Sequence, residues 1–192
     1  MTKIWLQSTD SDQYTEALNL DLKDHAEAYL GVKPCGAMTG IFFPNTRLEI
    51  LSDHPPADFF EPGTMFTVSD RLKVVLEEFD VHAEFFPLQI IYDGAEYTER
   101  NFYFCNILDC VECFDFARGK CTFWRKPGFT DHIQKIKKLA IDDAKAAGHN
   151  LFRIAKGGEY LVCASDRLAS IVEELKLTGM RFIEPKDWRF GS

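Results

Sequence analysis

One stretch of this chain occurs twice, and the repeat constrains the fold more than any other feature. Ser69-Asp70-Arg71-Leu72 returns as Ser165-Asp166-Arg167-Leu168, an offset of 96 residues in a chain of 192. At the same offset Glu77-Glu78 returns as Glu173-Glu174, and Phe86 as Phe182. Leu72, Val75, Leu76 and Phe79 correspond to Leu168, Ile171, Val172 and Leu175. A repeat half the length of the chain predicts a protein built from two related units.

Each copy has a direct physical reading. The apolar positions fall at i, i+3, i+4 and i+7, one stripe of an amphipathic helix. The serine stands where an N-cap belongs, and the aspartate after it lies in the first turn, where negative charge suits the helix dipole. A short apolar strand enters each helix, at Met65–Val68 and Tyr160–Cys163. Another leaves it, at Glu84–Ile91 and Met180–Ile183. The predicted unit is strand, capped helix, strand. Capping and a buried stripe account for Ser-Asp-Arg-Leu without any active-site chemistry.

Elsewhere, Ile4-Trp5-Leu6 reads as a first strand. Tyr14, Leu18, Leu22 and Ala26, spaced by four, predict a helix over residues 13–30 that ends near Gly31. A short strand is expected at Gly40–Phe43, and a loop from Ser52 to Gly63. Asp93-Gly94 signals a turn, and Asn101–Phe116 one or two strands. Residues 131–147 fit either a helix or a strand followed by a short helix. Lys156-Gly157-Gly158 predicts a hairpin. Strands mixed with hairpins and few helices point to an α+β fold with mostly antiparallel sheet. At this length one globular domain is expected, divisible into lobes of about 1–96 and 97–192.

Charge is unevenly spread. Residues 1–96 carry 6 Lys/Arg against 17 Asp/Glu, whereas residues 97–192 carry 16 against 13, for a net of −8. An acidic face repels nucleic acid and suits a basic protein partner. No run approaches the ~18 apolar residues of a membrane helix. Met1–Gln7 is too short and too soon polar for a secretory signal, which predicts a cytoplasmic protein.

Cys105, Cys110 and Cys113 have the C-x4-C-x2-C spacing of some iron–sulfur proteins, with Cys121 as a fourth candidate ligand. Cys110 and Cys113 also form a C-x-x-C pair, open to zinc or redox chemistry. Against this, the run between them is apolar rather than a tight turn, and strand geometry points Cys110 and Cys113 to opposite faces. Small apolar cysteines in a reduced protein explain them more simply, so no metal and no cofactor is expected. His25, His54, His82, His132 and His149 make no ligand spacing. Asp131-His132 has the form of an oriented base, but no nucleophile motif, P-loop or dinucleotide fingerprint accompanies it. No catalytic residue is assigned, and the chain does not read as an enzyme.

The order of whole segments carries more. Pro56-Ala57-Asp58-Phe59, Ser69–Leu72, Phe85-Phe86-Pro87, Asn106-Ile107-Leu108-Asp109, Leu151-Phe152-Arg153, Ser165–Leu168 and Thr178-Gly179-Met180-Arg181-Phe182 follow one another along the chain. In this the sequence resembles the bacterial polymorphic-toxin immunity family numbered eleven, first described as a domain of unknown function. The resemblance implies a non-catalytic protein. It would bind and neutralise a cognate toxin delivered by contact-dependent or type VI-like secretion, and so protect the producing cell. The motifs themselves read as structural, which places the toxin-contacting surface in loops of the acidic half. Asp53, Asp58, Glu61, Asp93, Glu96 and Glu99 are the candidates there. Two alternatives stand beside this reading: a metal-binding or redox protein using Cys105, Cys110, Cys113 and Cys121, and an adaptor for another protein partner.

Overall fold

A computed structural model describes residues 1–21, 35–40, 46–63 and 65–189. Its strands are β1 (Thr2–Gln7), β2 (Ala17–Asn19), β3 (Thr46–Ile50), β4 (Phe59–Phe60), β5 (Thr67–Ser69), β6 (Ala83–Tyr92) and β7 (Ala95–Glu96). They continue with β8 (Phe102–Ile107), β9 (Cys110–Val111), β10 (Lys120–Phe123), β11 (Ile133–Lys138), β12 (Leu151–Ile154), β13 (Gly158–Ser165) and β14 (Met180–Ile183). The described helices are α1 (Asp70–Glu78), α2 (Asp143–Ala146) and α3 (Asp166–Glu174), with a short 3-10 turn at Pro185–Asp187. The fold is α+β, mostly sheet. None of these helices is long and apolar enough to cross a membrane.

Ser69 and Ser165 cap α1 and α3 as their sequences predict. Each hydroxyl accepts from the amide three residues on, Leu72 or Leu168, at 3.2 Å. Both helices run nine residues and bury the repeated stripe, Leu72, Val75 and Leu76 in one, Leu168 and Val172 in the other. The connections also match. In the five-stranded sheet, ordered β14-β1-β13-β12-β9, β1 lies antiparallel between β13 and β14, the two strands that α3 joins. In the seven-stranded sheet, ordered β2-β3-β6-β8-β5-β4 with β7 on β6, β8 lies antiparallel between β5 and β6, which α1 joins. The inserted strand follows its unit in one case and precedes it by most of the chain in the other.

The two sheets and both helices enclose a shared core. Trp5, Val162, Ala164 and Leu151 meet Phe59, Phe66, Val68, Cys105 and Ile107 across α1 and α3. Trp5 packs edge-on to Phe59 and Phe182, with ring centroids 5.4 and 4.9 Å apart. Alternate residues of the five-stranded sheet, Ile4, Phe152, Ile154, Leu161 and Cys163, fill a second core beneath β11 and α2. A sheet buried on both faces explains why Leu161–Ala164 is continuously apolar.

The structure places a short strand, β4, inside the loop expected from Ser52 to Gly63, departs from a second expectation and decides a third. The helix predicted over residues 13–30 is absent from its described part: Ala17–Asn19 is an edge strand paired with β3. Tyr14 and Leu18 are exposed there, so their four-residue spacing marks no buried stripe. Residues 22–34, and the strand expected at Gly40–Phe43 beyond Gly40, lie outside the described residues. Residues 131–147 resolve as the strand β11 followed by the short helix α2.

Candidate functional site

Of the six acidic candidates, Asp58 is the one that the fold removes from the surface. Its side chain is fully buried just ahead of β4. One carboxylate oxygen accepts from the Ser69 hydroxyl at 2.7 Å, and the other from the Thr178 amide at 3.0 Å and its hydroxyl at 3.2 Å. Arg71 and Arg100 each approach at 3.4 Å. Phe59 N–H donates to the Thr178 carbonyl at 3.0 Å. Gly179, at φ +93°, sits so close that an added Cβ would lie 2.0 Å from the Phe59 carbonyl oxygen. Three of the segments that carried the resemblance, Pro56–Phe59, Ser69–Leu72 and Thr178–Phe182, therefore converge on one sealed junction. Asp58 is a structural acid, not a partner contact.

Asp53, Asp93, Glu96 and Glu99 are exposed, Glu96 within β7 and the others in the loops and turns flanking β3, β6 and β7. Asp53 and Asp93 line a shallow groove of about 360 Å³ with Ser52 and Tyr92. Tyr92 donates to the Asp53 carbonyl at 3.2 Å. Tyr97 donates to Glu99 at 3.2 Å, and burial, reinforced by that carboxylate, raises its phenol pKa. Glu61 is only partly exposed, and burial pushes its carboxyl upward, partly offset by Arg153. An acid whose folded pKa is raised costs stability when ionised, and the cost vanishes as pH falls below its unfolded value of about 4.3. Glu61→Gln is thus expected to raise the melting temperature at pH 7 and to converge with the parent near pH 3, in melts followed by circular dichroism.

The cysteines do not gather. Cys105 is buried in the shared core and Cys113 in the second one, while Cys110 is exposed and Cys121 half-buried on β10. Burial lifts the Cys105 and Cys113 thiols to about 12. Among the described residues no group of three or more His, Cys, Asp and Glu side chains is placed to hold a metal. The Asp131–His132 pair forms at 2.9 Å on the surface. Asp109 makes a second junction between the sheets: its carboxylate oxygens meet Nδ1 of His82 at 3.0 Å and of His149 at 2.6 Å.

What the sequence reading missed is the hairpin of β10 and β11. It forms a separate two-stranded sheet, anchored by Ile133 and Ile136 in the second core. Its outer surface carries Phe116, Phe123, Trp124 and Phe129, with Trp124 48% and Phe129 46% exposed. Phe123 stacks on Phe116 at 5.7 Å, and Phe116 rests on buried Phe114 at 5.0 Å, so the patch is tied to the core. A groove of about 640 Å³ is lined by Thr122, Phe123, Trp124, Arg125, Lys126 and Gln134. Residues 118–138 hold seven Lys/Arg against one Asp, on a chain of net charge −8. Lys120 and Lys138 stand directly opposite across the strands. Facing like charges destabilise a sheet, and tryptophan, phenylalanine and arginine are among the residue types enriched at interfaces. Within the fold, Arg118 pairs with Asp115 and donates to the Ile141 carbonyl, and Lys126 lies over the Phe129 ring at 5.4 Å.

Comparison with known proteins agrees with the segment order. A family model described as "Immunity protein family (Imm11)" matches residues 43–187. No curated protein sequence matches the chain.

Proposed function

This chain belongs to the Imm11 immunity protein family, and on that premise we propose that it neutralises a cognate secreted toxin by binding it. The hairpin of β10 and β11 is the anchor. The observation that carries this reading is the cluster of Phe123, Trp124 and Phe129, each about half exposed, among Lys120, Arg125, Lys126, Lys135, Lys137 and Lys138. The partner surface that fits it is an apolar recess with an acidic rim. A stable complex needs about 1,600 Å² of buried surface around a few such anchors, so the hairpin is the centre of a wider contact. The exposed acids Asp53, Asp93, Glu96 and Glu99 act in encounter, by steering basic parts of the toxin. The protein works in the cytoplasm of the producing cell, without catalysis, against a toxin delivered by contact-dependent or type VI-like secretion. We infer further that the two strand-helix-strand units are related copies, on the strength of their equal helices, matching caps and matching crossovers.

Coexpression with a candidate toxin from the neighbouring genes tests the reading. Growth should be rescued, and the purified pair should associate several-fold more slowly at 0.5 M salt than at 0.05 M, because charges beyond a Debye length are screened. Undiminished lethality in the presence of this protein would count against it.

A further inference from the structure

We propose that Cys35 and Cys110 are a peroxide-responsive thiol pair that closes to a disulfide between the two sheets. The pair lies outside the binding hairpin and does not depend on the toxin. Each cysteine is placed by its own sheet. The segment holding Cys35 is clamped on the seven-stranded sheet: Glu84 accepts from the Met38 amide at 2.6 Å and from the Thr39 amide at 3.1 Å, and Asn106 donates to the Gly36 carbonyl at 2.9 Å. Cys110 stands on β9, the edge of the five-stranded sheet, in register with Arg153 of β12. The Cys35 thiol lies 3.7 Å from the carbonyl oxygen of Asp109, the residue before Cys110, so the segment carrying one cysteine is seated against the backbone carrying the other.

The chemistry favours this pair over the other four of the six cysteines. The neighbouring Cys110, with help from Arg153, lowers the Cys35 pKa despite partial burial. The Cys110 thiol, beside Cys35 and partly buried, is raised. Burial raises Cys105, Cys113, Cys121 and Cys163. A thiolate is the nucleophile, so Cys35 reacts first. It attacks one oxygen of hydrogen peroxide, the O–O bond breaks, and a sulfenic acid forms as water leaves. The Cys110 sulfur then attacks the sulfenic sulfur, the S–O bond breaks, and a second water leaves with the thiol proton. Two thiols lose two electrons, and one peroxide becomes two waters. Disulfides in reducing compartments are characteristically transient sensors of this kind.

The test treats the reduced full chain with hydrogen peroxide, blocks remaining thiols, and maps peptides by mass spectrometry. The expected result is one Cys35–Cys110 link with the other four thiols free, reversed by dithiothreitol. Cys110→Ser should leave a sulfenic acid at Cys35 that a cyclic dione traps, and Cys35→Ser should leave Cys110 reduced. Glu84→Ala, which loosens the clamp, should slow linkage about tenfold or more. Linkage through Cys121, or oxidation of Cys35 in the parent protein without a link to Cys110, would overturn the proposal.

Discussion

Trp124→Ala combined with Phe129→Ala is expected to weaken toxin binding at least 100-fold and to leave the melting temperature unchanged within a degree or two. Truncating an aromatic anchor at the centre of an interface costs about 2 kcal/mol or more, and each 1.4 kcal/mol is tenfold in affinity. Two anchors in one pocket do not add fully, so 100-fold is the conservative figure. Stability should hold because neither residue belongs to a core cluster; both lie on the hairpin surface, and the Lys126 ammonium lies 5.4 Å from the Phe129 ring centroid. Titration calorimetry with the purified toxin domain, beside thermal melts, separates the two effects. A double variant that binds at parental affinity would sink the hairpin as anchor while leaving toxin neutralisation intact.

Charge reversal at the same hairpin is a different perturbation. Lys120 and Lys138 are exposed and face one another, so reversing their charge is expected to slow association with the toxin and to leave the lifetime of the complex unchanged. Aromatic side chains among cations also suit single-stranded nucleic acid, where bases stack on rings and phosphates meet lysines. Tight binding of a single-stranded oligonucleotide at physiological salt, with no measurable affinity for the toxin, would replace a protein partner by a nucleic acid.

The helices and most strands were legible because their signals are local. Ser69 and Ser165 cap helices within three residues, and the apolar stripes behind them report burial directly. Asp93-Gly94 and Lys156-Gly157 turn the chain with successive positive φ angles, which glycine adopts freely and aspartate tolerates. The surface was harder to read. Asp58 and Asp93 are the same residue type in loop-like sequence, yet one is sealed by Thr178, distant in sequence, and the other faces water. Half-chain charge sums also hid the decisive feature. The second half nets only +3, but pairing β10 with β11 concentrates seven cations and only one acid within residues 118–138. Residue type alone does not separate Phe116, Phe123 and Phe129 from the core aromatics, and only the fold shows that the second core is already filled by Phe114, Ile133, Ile136 and Phe152.

Asp58→Ala should be the most damaging single substitution to stability, by about 3–5 kcal/mol, the range for removing one partner of a buried charged network. The ion pairs supply the smaller part. Arg71 and Arg100 contact the carboxylate at 3.4 Å, and their side chains are 48% and 36% exposed, so water screens them. The larger part comes from the Thr178 amide, the Thr178 hydroxyl and the Ser69 hydroxyl, which lose a buried acceptor together. Ser69 must also keep capping α1, so the damage spreads from the junction into the helix that fills the shared core. At roughly 2–4 °C per kcal/mol for a chain of this size, the melting temperature should fall by about 10 °C. Asp58→Asn keeps one acceptor oxygen for Thr178 and should lose about half as much. Equal losses for alanine and asparagine would mean that charge, rather than hydrogen bonding, holds the junction. A loss below about 1 kcal/mol for alanine would mean that the backbone bond from Phe59 to Thr178 and the close seat of Gly179 hold it without the carboxylate.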